Sequence, residues 1–290
     1  MALEPPSPLD AAILDGHCHA WLRWPYPPPV PDEAHRGTIE QLLYEMDTNG
    51  VAQAMVVCAA IGANEDNLDY VASAHESHPG RFHVVADLDC TWSTTYHQPG
   101  SADRLRELDD RYELAGFTHY LRERNDGWLS SDEADALFTA ASERGLLASL
   151  AAGPAWQADL RLIALRHPDV PVLCHHLGDV RAGDDAGLEE LVASAAVPNI
   201  YVKASGFHYV SRRGWDYPWL DALFMLRRIF DAYGPSRLCW GSDFSASKRF
   251  CTFRQSLEAV RTHCRFLTAE DLSLVLGGTL GAVLSGTAAG

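Results

Sequence analysis

Basic charge is scarce in this 290-residue chain: 23 Lys and Arg face 39 Asp and Glu, a net charge of −16 at pH 7, and Lys203 and Lys248 are the only lysines. A phosphate-binding groove would be a local exception, so neither nucleic acid nor an anionic membrane is an expected partner. No run of about 18 apolar residues occurs, and the opening MALEPPSPLD has neither the basic start nor the apolar stretch of a secretory leader. The chain reads as a cytoplasmic protein.

Paired cysteine motifs are missing too. The seven cysteines are odd in number, widely spaced and never in CxxC, which excludes a zinc ribbon and a thioredoxin-type pair and points to buried, reduced thiols. There is no GxSxG nucleophile elbow. The glycines Gly277, Gly278 and Gly281 are followed by no Lys-Ser/Thr and preceded by no clear strand, so they form neither a phosphate loop nor a dinucleotide fingerprint. His75-Glu-Ser-His78 is one residue short of the zincin motif, and its histidines read as surface residues.

What the chain does contain is ample apolar material, 47% of its residues, arranged as short β-rich runs alternating with longer amphipathic stretches. The pattern predicts strands at Ala11–Asp15, Val51–Cys58, Phe82–Leu88, Gly116–Leu121, Leu146–Ala151, Val172–His175, Ile200–Lys203 and Leu238–Gly241. Helical spacing predicts helices that include Thr38–Asn49, Asn67–His78, Ser131–Arg144, Ala155–Arg166 and Tyr217–Tyr233, with Thr38 as an N-cap and Gly50 and Gly145 as stops. Strand–helix alternation repeated eight times in a chain of this size predicts an α/β protein, a single (β/α)₈ barrel over residues 1–290, with a doubly wound open sheet as the alternative. The proline-rich WPYPPPVP stretch at 24–31 is expected to form an extended loop over the mouth after the first strand.

Three segments deliver polar chemistry at predicted strand ends. In LDGHCHAW, His17 and His19 stand two apart and share a face, as a metal-binding or substrate-polarising pair would. VPVLCHHLGD brings His175 and His176 to a strand end, where alternation allows only one to face the barrel centre. RLCWGSDFSAS places Asp243 after the last strand, as metal ligand, general base or helix N-cap.

Together with NIYVKASGF and YGPSRLCWGSDFS, these motifs resemble, in order and spacing, the second amidohydrolase family and within it the subgroup of 2-pyrone-4,6-dicarboxylate and sugar-acid lactonases. The resemblance runs from about Leu14 to the carboxyl terminus. It implies a distorted (β/α)₈ barrel whose site, at the carboxyl ends of the strands, acts on a lactone, an amide or a carboxylated ring. By matching position it implies His17 and His19 as the first-strand pair, His176 as the histidine before the LG turn, and Asp243 as the residue that takes a proton from water. One divalent metal, zinc by preference, would be held by His17, His19, His176 and Asp243; otherwise the histidines alone polarise the carbonyl.

The chain also departs from that pattern. LLASLAAGPAW supplies no fifth-strand histidine, the fourth strand has no bridging lysine, and Phe244, Ser245 and Ala246 follow GSD where lactonases have WPH. GFTHYLR replaces an arginine-bearing segment and leaves His119 and Arg122 as candidates for a substrate carboxylate. Between SGF and YGP, His208, Tyr209, Arg212, Arg213, Trp215, Tyr217 and Trp219 form an aromatic and basic loop, of which Trp215, Tyr217 and Trp219 have helix packing as their simpler role. His208 and Tyr209 there, and Trp21 in the first loop, are the aromatic candidates for substrate contact.

The expected function is hydrolytic opening of a lactone or cyclic amide or ester of a small acidic or aromatic substrate. The same site could instead decarboxylate an aromatic acid or close a ring in a biosynthetic pathway, and a non-catalytic binding barrel is the third possibility. A small-molecule substrate is the expected partner, with pairing into a homodimer open.

Overall fold

The structure is a computed structural model and describes residues 11–287. The expected single domain over 1–290 includes residues 1–10 and 288–290, which lie outside the described part. Eight parallel strands pair in chain order: β1 (Ile13–Cys18), β2 (Val51–Val57), β3 (Phe82–Asp87), β4 (Leu114–Tyr120), β5 (Leu147–Ala151), β6 (Val172–Cys174), β7 (Ile200–Ala204) and β8 (Leu238–Trp240). Helices lie between them: α1 (Ile39–Asn49), α2 (Asn67–Ser77), α3 (Ser101–Arg111), α4 (Asp132–Arg144), α5 (Gln157–Arg166), α6 (Asp185–Ala193), the short α7 (Phe207–Val210) and α8 (Leu220–Tyr233). After β8 come α9 (Phe253–Arg261), α10 (Ala269–Ser273) and α11 (Thr279–Leu284). The expected (β/α)₈ barrel is therefore found. Among the described residues, no helix is long and apolar enough to cross a membrane.

Local sequence explains the helix starts. The Thr38 hydroxyl accepts the Gln41 N–H, and the Ser131 hydroxyl accepts that of Ala134, satisfying N–H groups that the first turn leaves free. α8 begins at Leu220 rather than Tyr217, because Pro218 and the left-handed Trp219 (φ 59°) precede its first turn.

Side chains alternate between two apolar zones. Leu14, Met55, Val57, Val85, Leu147, Leu173, Tyr201 and Cys239 fill the barrel interior, and Leu280 and Val283 of α11 plug its lower end. Their neighbours, such as Val56, Phe117, Ala148, Cys174, Val202 and Trp240, pack outward against the helices. Gly277 lets this final segment close in: a Cβ there would stand 1.9 Å from the Ala12 carbonyl oxygen. The glycine cluster is thus a packing device beneath the barrel.

β1 differs from expectation in a way that shapes the site. It runs on to Cys18 instead of ending at Asp15, and its register against β2 shifts between Asp15 and Cys18. Leu14 faces the barrel interior, while beyond the shift Cys18 packs outward. The irregularity exchanges the two faces and turns His17 and His19 inward, which is what a β-bulge does to the residues after it.

The barrel closes where β8 meets β1. The Asp243 N–H donates to the His17 carbonyl at 2.8 Å, and the His19 N–H to that of Phe244. The chains come so close that a Cβ on Gly241 would lie 2.6 Å from the His17 Cβ. Gly241→Ala is expected to cost about 2–3 kcal/mol by overpacking, read as a lower urea midpoint at unchanged slope; an unaltered midpoint would show that the two strands can separate without penalty.

Candidate active site

The apolar interior gives way to polar side chains toward the carboxyl ends of the strands. In the first polar layer, the buried Lys203 amine donates to the Ser149 hydroxyl at 2.7 Å and lies 3.1 Å from His17 Nδ1. Ser149 also hydrogen-bonds His175 Nε2 at 2.7 Å. Above this layer, the Nε2 atoms of His17, His19 and His176 stand 3.7, 3.7 and 3.9 Å from Asp243 Oδ1, and His208 Nε2 is 3.6 Å from Oδ2. None of these five residues is more than 7% exposed.

Three of the rings are aimed by their other nitrogen, and that of His208 by stacking. His19 Nδ1 donates to the Val57 carbonyl at 2.7 Å, so in the neutral ring Nε2 carries the lone pair that faces Asp243. Trp21 lies stacked against the same ring at 4.9 Å and donates its own N–H to the Ala59 carbonyl. His176 Nδ1 pairs with the Ser205 hydroxyl at 3.0 Å. The His208 ring stacks on Phe250 at 4.6 Å.

Both histidines of the sixth-strand pair reach the interior, contrary to the expectation that only one could. The His175 and His176 rings lie 4.4 and 4.6 Å from that of His17. Strand alternation does not apply to His176, because from it onward the chain takes left-handed conformations at His176, Leu177, Gly178 and Asp179 (φ 43, 53, 66 and 53°) and turns back over the barrel.

The structure does not bring His119 to this cluster. Phe117 packs outward, so His119, two residues on, also points away from the interior; its Nδ1 bonds the Leu88 carbonyl at 2.8 Å and its ring stacks on Trp128. Arg122 lies over the Tyr96 ring at the rim, 4.6 Å from its centroid. Tyr209 is brought close, its ring 4.0 Å from that of His208. Trp219 is buried at the start of α8 against Phe207, and Trp215 is exposed.

Sequence reasoning foresaw the roof only in part, through the proline-rich loop and Tyr209. Tyr26 of the proline-rich loop packs edge-on to Trp21, and the Arg249 guanidinium lies 4.0 Å above the Tyr26 ring while donating to the Tyr209 hydroxyl at 3.1 Å. Tyr26, Tyr209 and Arg249 come from loops after β1, β7 and β8, and of the three only Arg249 has no local pattern to mark it. Ser149 and Ser205 were also unmarked, although their place on inward-facing strand positions followed from the alternation.

Burial sets the electrostatics. It lowers the His19 and His208 imidazoles to about 4 and about 3 and holds His17 and His176 well below the usual histidine range, so all four are neutral at pH 7. It pushes the Asp243 carboxyl well up. His17 Nε2, His208 Nε2 and Asp243 Oδ2 have no hydrogen-bond partner although buried. Neutral imidazoles with bare nitrogens around one carboxylate are the donor set of a divalent cation such as zinc: His17, His19 and Asp243 offer donor atoms within 4.8 Å of one another, and His176 Nε2 stands 3.9 Å from Asp243 Oδ1.

Burial likewise lowers Lys203 to about 7 from the usual 10.5. Between these values the unfolded chain binds the extra proton, so Lys203 adds stability as pH rises through this window and withdraws it as pH falls. Metal-stripped wild-type protein should therefore gain on Lys203→Met by about 1.4 kcal/mol per pH unit above pH 7.5, followed as the difference in urea unfolding free energy. A constant difference would show that the amine keeps its proton in the fold.

The amidohydrolase family model matches residues 14–279. No protein of curated function matches the sequence. Among solved structures, an amidohydrolase from Burkholderia multivorans with bound zinc superposes with a TM-score of 0.75 at 20% identity, covering 95% of this chain and 99% of that one. A probable 2-pyrone-4,6-dicarboxylic acid hydrolase from Acinetobacter baumannii, with citric acid bound, gives 0.74 at 17% identity over 94% and 99%. The 5-carboxyvanillate decarboxylase of Sphingomonas paucimobilis gives 0.65 at 14% over 95% and 99%. With its HxH first strand, its HLG turn and its GSD end all placed on one barrel mouth, the chain belongs to the amidohydrolase family.

Proposed function

We propose that the protein is a hydrolase that opens a lactone or cyclic amide of a small substrate. The observation that carries this reading is the Asp243 carboxylate, buried at 1% exposure and ringed by the Nε2 atoms of His17, His19, His176 and His208 at 3.6–3.9 Å. A base with this surrounding can act on a water held beside it, and the inward lone pairs of the neutral imidazoles favour a cation among them.

Asp243 takes a proton from water as the water oxygen bonds to the carbonyl carbon. The ring C–O or C–N bond then breaks, and Asp243 returns the proton to the departing oxygen or nitrogen, leaving a hydroxy acid or an amino acid. Lys203 and Ser205 keep the rings of His17 and His176 in place meanwhile. His17, His19, His176 and Asp243 would hold a divalent metal, zinc by preference, which when bound would polarise the carbonyl and keep Asp243 ionised. The Burkholderia relative with bound zinc supports this reading.

Two measurements test it. Zinc added to metal-stripped protein at about a hundred times its dissociation constant should raise the melting temperature by about 5–10 °C, and His17→Ala should abolish the rise; no rise in wild type would favour polarisation by the histidines alone. On a substrate found by screening lactones, cyclic amides and aromatic acids, Asp243→Asn should lower turnover by about 10³-fold with the fold intact. Undiminished turnover would remove Asp243 as the base. Release of carbon dioxide, or of water, would instead mark decarboxylation or ring closure, and tight binding without turnover a binding barrel.

A further inference from the structure

The turn that returns His176 to the cluster also sets a second carboxylate nearby. Asp179, the last of its four left-handed residues, lines a cavity of about 480 Å³ at the carboxyl ends of β4 to β7. Tyr209 lines the same cavity and is in ring contact with His176 and His208, so the cavity and the cluster share a wall. A space of this volume suits a small molecule or a large part of one.

The other charged groups of the cavity are engaged or lie at its rim. Arg181 donates to the Tyr209 carbonyl oxygen, Arg122 lies over the Tyr96 ring with its Nε toward the Thr91 hydroxyl, Asp184 caps α6 through the Gly187 N–H, and Glu123 is exposed to solvent at the rim. The Asp179 side chain has no hydrogen bond or ion pair within 4.0 Å among the described residues. Burial pushes its carboxyl up to about 7, against a weaker opposing pull from Arg181. A carboxylate set into a cavity without a partner is costly in isolation and attracts a cation that can donate hydrogen bonds to it.

We propose that this cavity is a binding site for a protonated amine, with the Asp179 carboxylate as its acceptor, and that the substrate carries such a nitrogen beyond its reacting carbonyl. Identifying the amine as part of the substrate rests on the reading of the Asp243 cluster as the reaction centre; the amine site itself does not. The substrate class is accordingly narrowed to amino-substituted lactones or cyclic amides, with Tyr209 between the anchored nitrogen and the group attacked.

The test uses 4-fluorobenzylamine, 4-fluorobenzyl alcohol and 4-fluorobenzoate as probes, titrated into the intact full-length protein and followed by fluorine NMR at pH 7.5. The amine is expected to bind at least tenfold more tightly than the alcohol or the acid, and Asp179→Asn to erase that preference. Asparagine tolerates the left-handed backbone and removes an unpaired, half-buried charge, so its melting temperature should not fall. Ala155→Phe, at an exposed position on the cavity lining, supplies a second variant and should weaken the amine at least tenfold.

Equal binding of amine and alcohol, preference for the acid, or an amine affinity untouched in both variants would each overturn the proposal. So would an amine that is lost in Asp243→Asn and kept in Asp179→Asn, which would place it at the cluster. If Asp243→Asn keeps its turnover while Asp179→Asn loses the amine, the catalytic reading fails and the amine site stands.

Discussion

One buried carboxylate ties the two ends of the barrel together. Asp15 Oδ1 accepts the N–H of His17 at 3.1 Å and that of Ser242 at 2.8 Å, so the first strand and the segment leading to Asp243 are fastened to the same atom. Burial raises Asp15 to about 6 despite both donors, which means that the fold holds this charge against its own low polarity at neutral pH. Everything in the candidate site depends on that junction. His17 and His19 lie on one side of it and Asp243 on the other, and the 3.7 Å separations between them exist because the strands cannot move apart.

The arrangement above the junction follows one electrostatic rule. Burial works against every charge, lowering Lys203 and the histidines and raising Asp243, so a neutral, hydrogen-bond-poor cluster is what the protein alone can sustain. Such a cluster is prepared for a group that brings compensating positive charge, a cation above all. The hydrogen bonds of His19 to Val57, His176 to Ser205 and His17 to Lys203 spend the outer nitrogens and leave the inner ones available. The zinc-containing relative has the same fold, and the chain's own donors meet the requirement independently of it.

Much of this was legible in the sequence because strand ends in a (β/α)₈ barrel are marked by apolar runs that stop at polar residues. His17, His19, His176 and Asp243 all stood at such stops. The first strand was cut short because Asp15 and Gly16 look like its end, whereas they are the junction with β8. α3 went unnoticed because SADRLRELDDR offers little apolar face beyond Leu105 and Leu108. His119 was placed by register, and one position on a strand decides between interior and exterior; Phe117 fixes that register only once the packing is known. Arg249 and Asp179 owe their positions to loops whose shapes depend on distant contacts, and no spacing rule reaches them.

The plugging of the barrel by α11 bears on how the molecule is assembled. Asp15 and Ser242 are 227 residues apart, and among the described residues Leu280 and Val283, with Leu284 against them, seal the interior beneath. On the ribosome, β1 can pair with β2 early, yet its other edge stays open until nearly the whole barrel has been synthesised. The histidines of β1 therefore spend most of synthesis exposed, and the site is the last part of the barrel to take shape. Because its pieces come from opposite ends of the barrel, a chain stalled before Leu238 could fold most of its strands and still have no chemistry to offer.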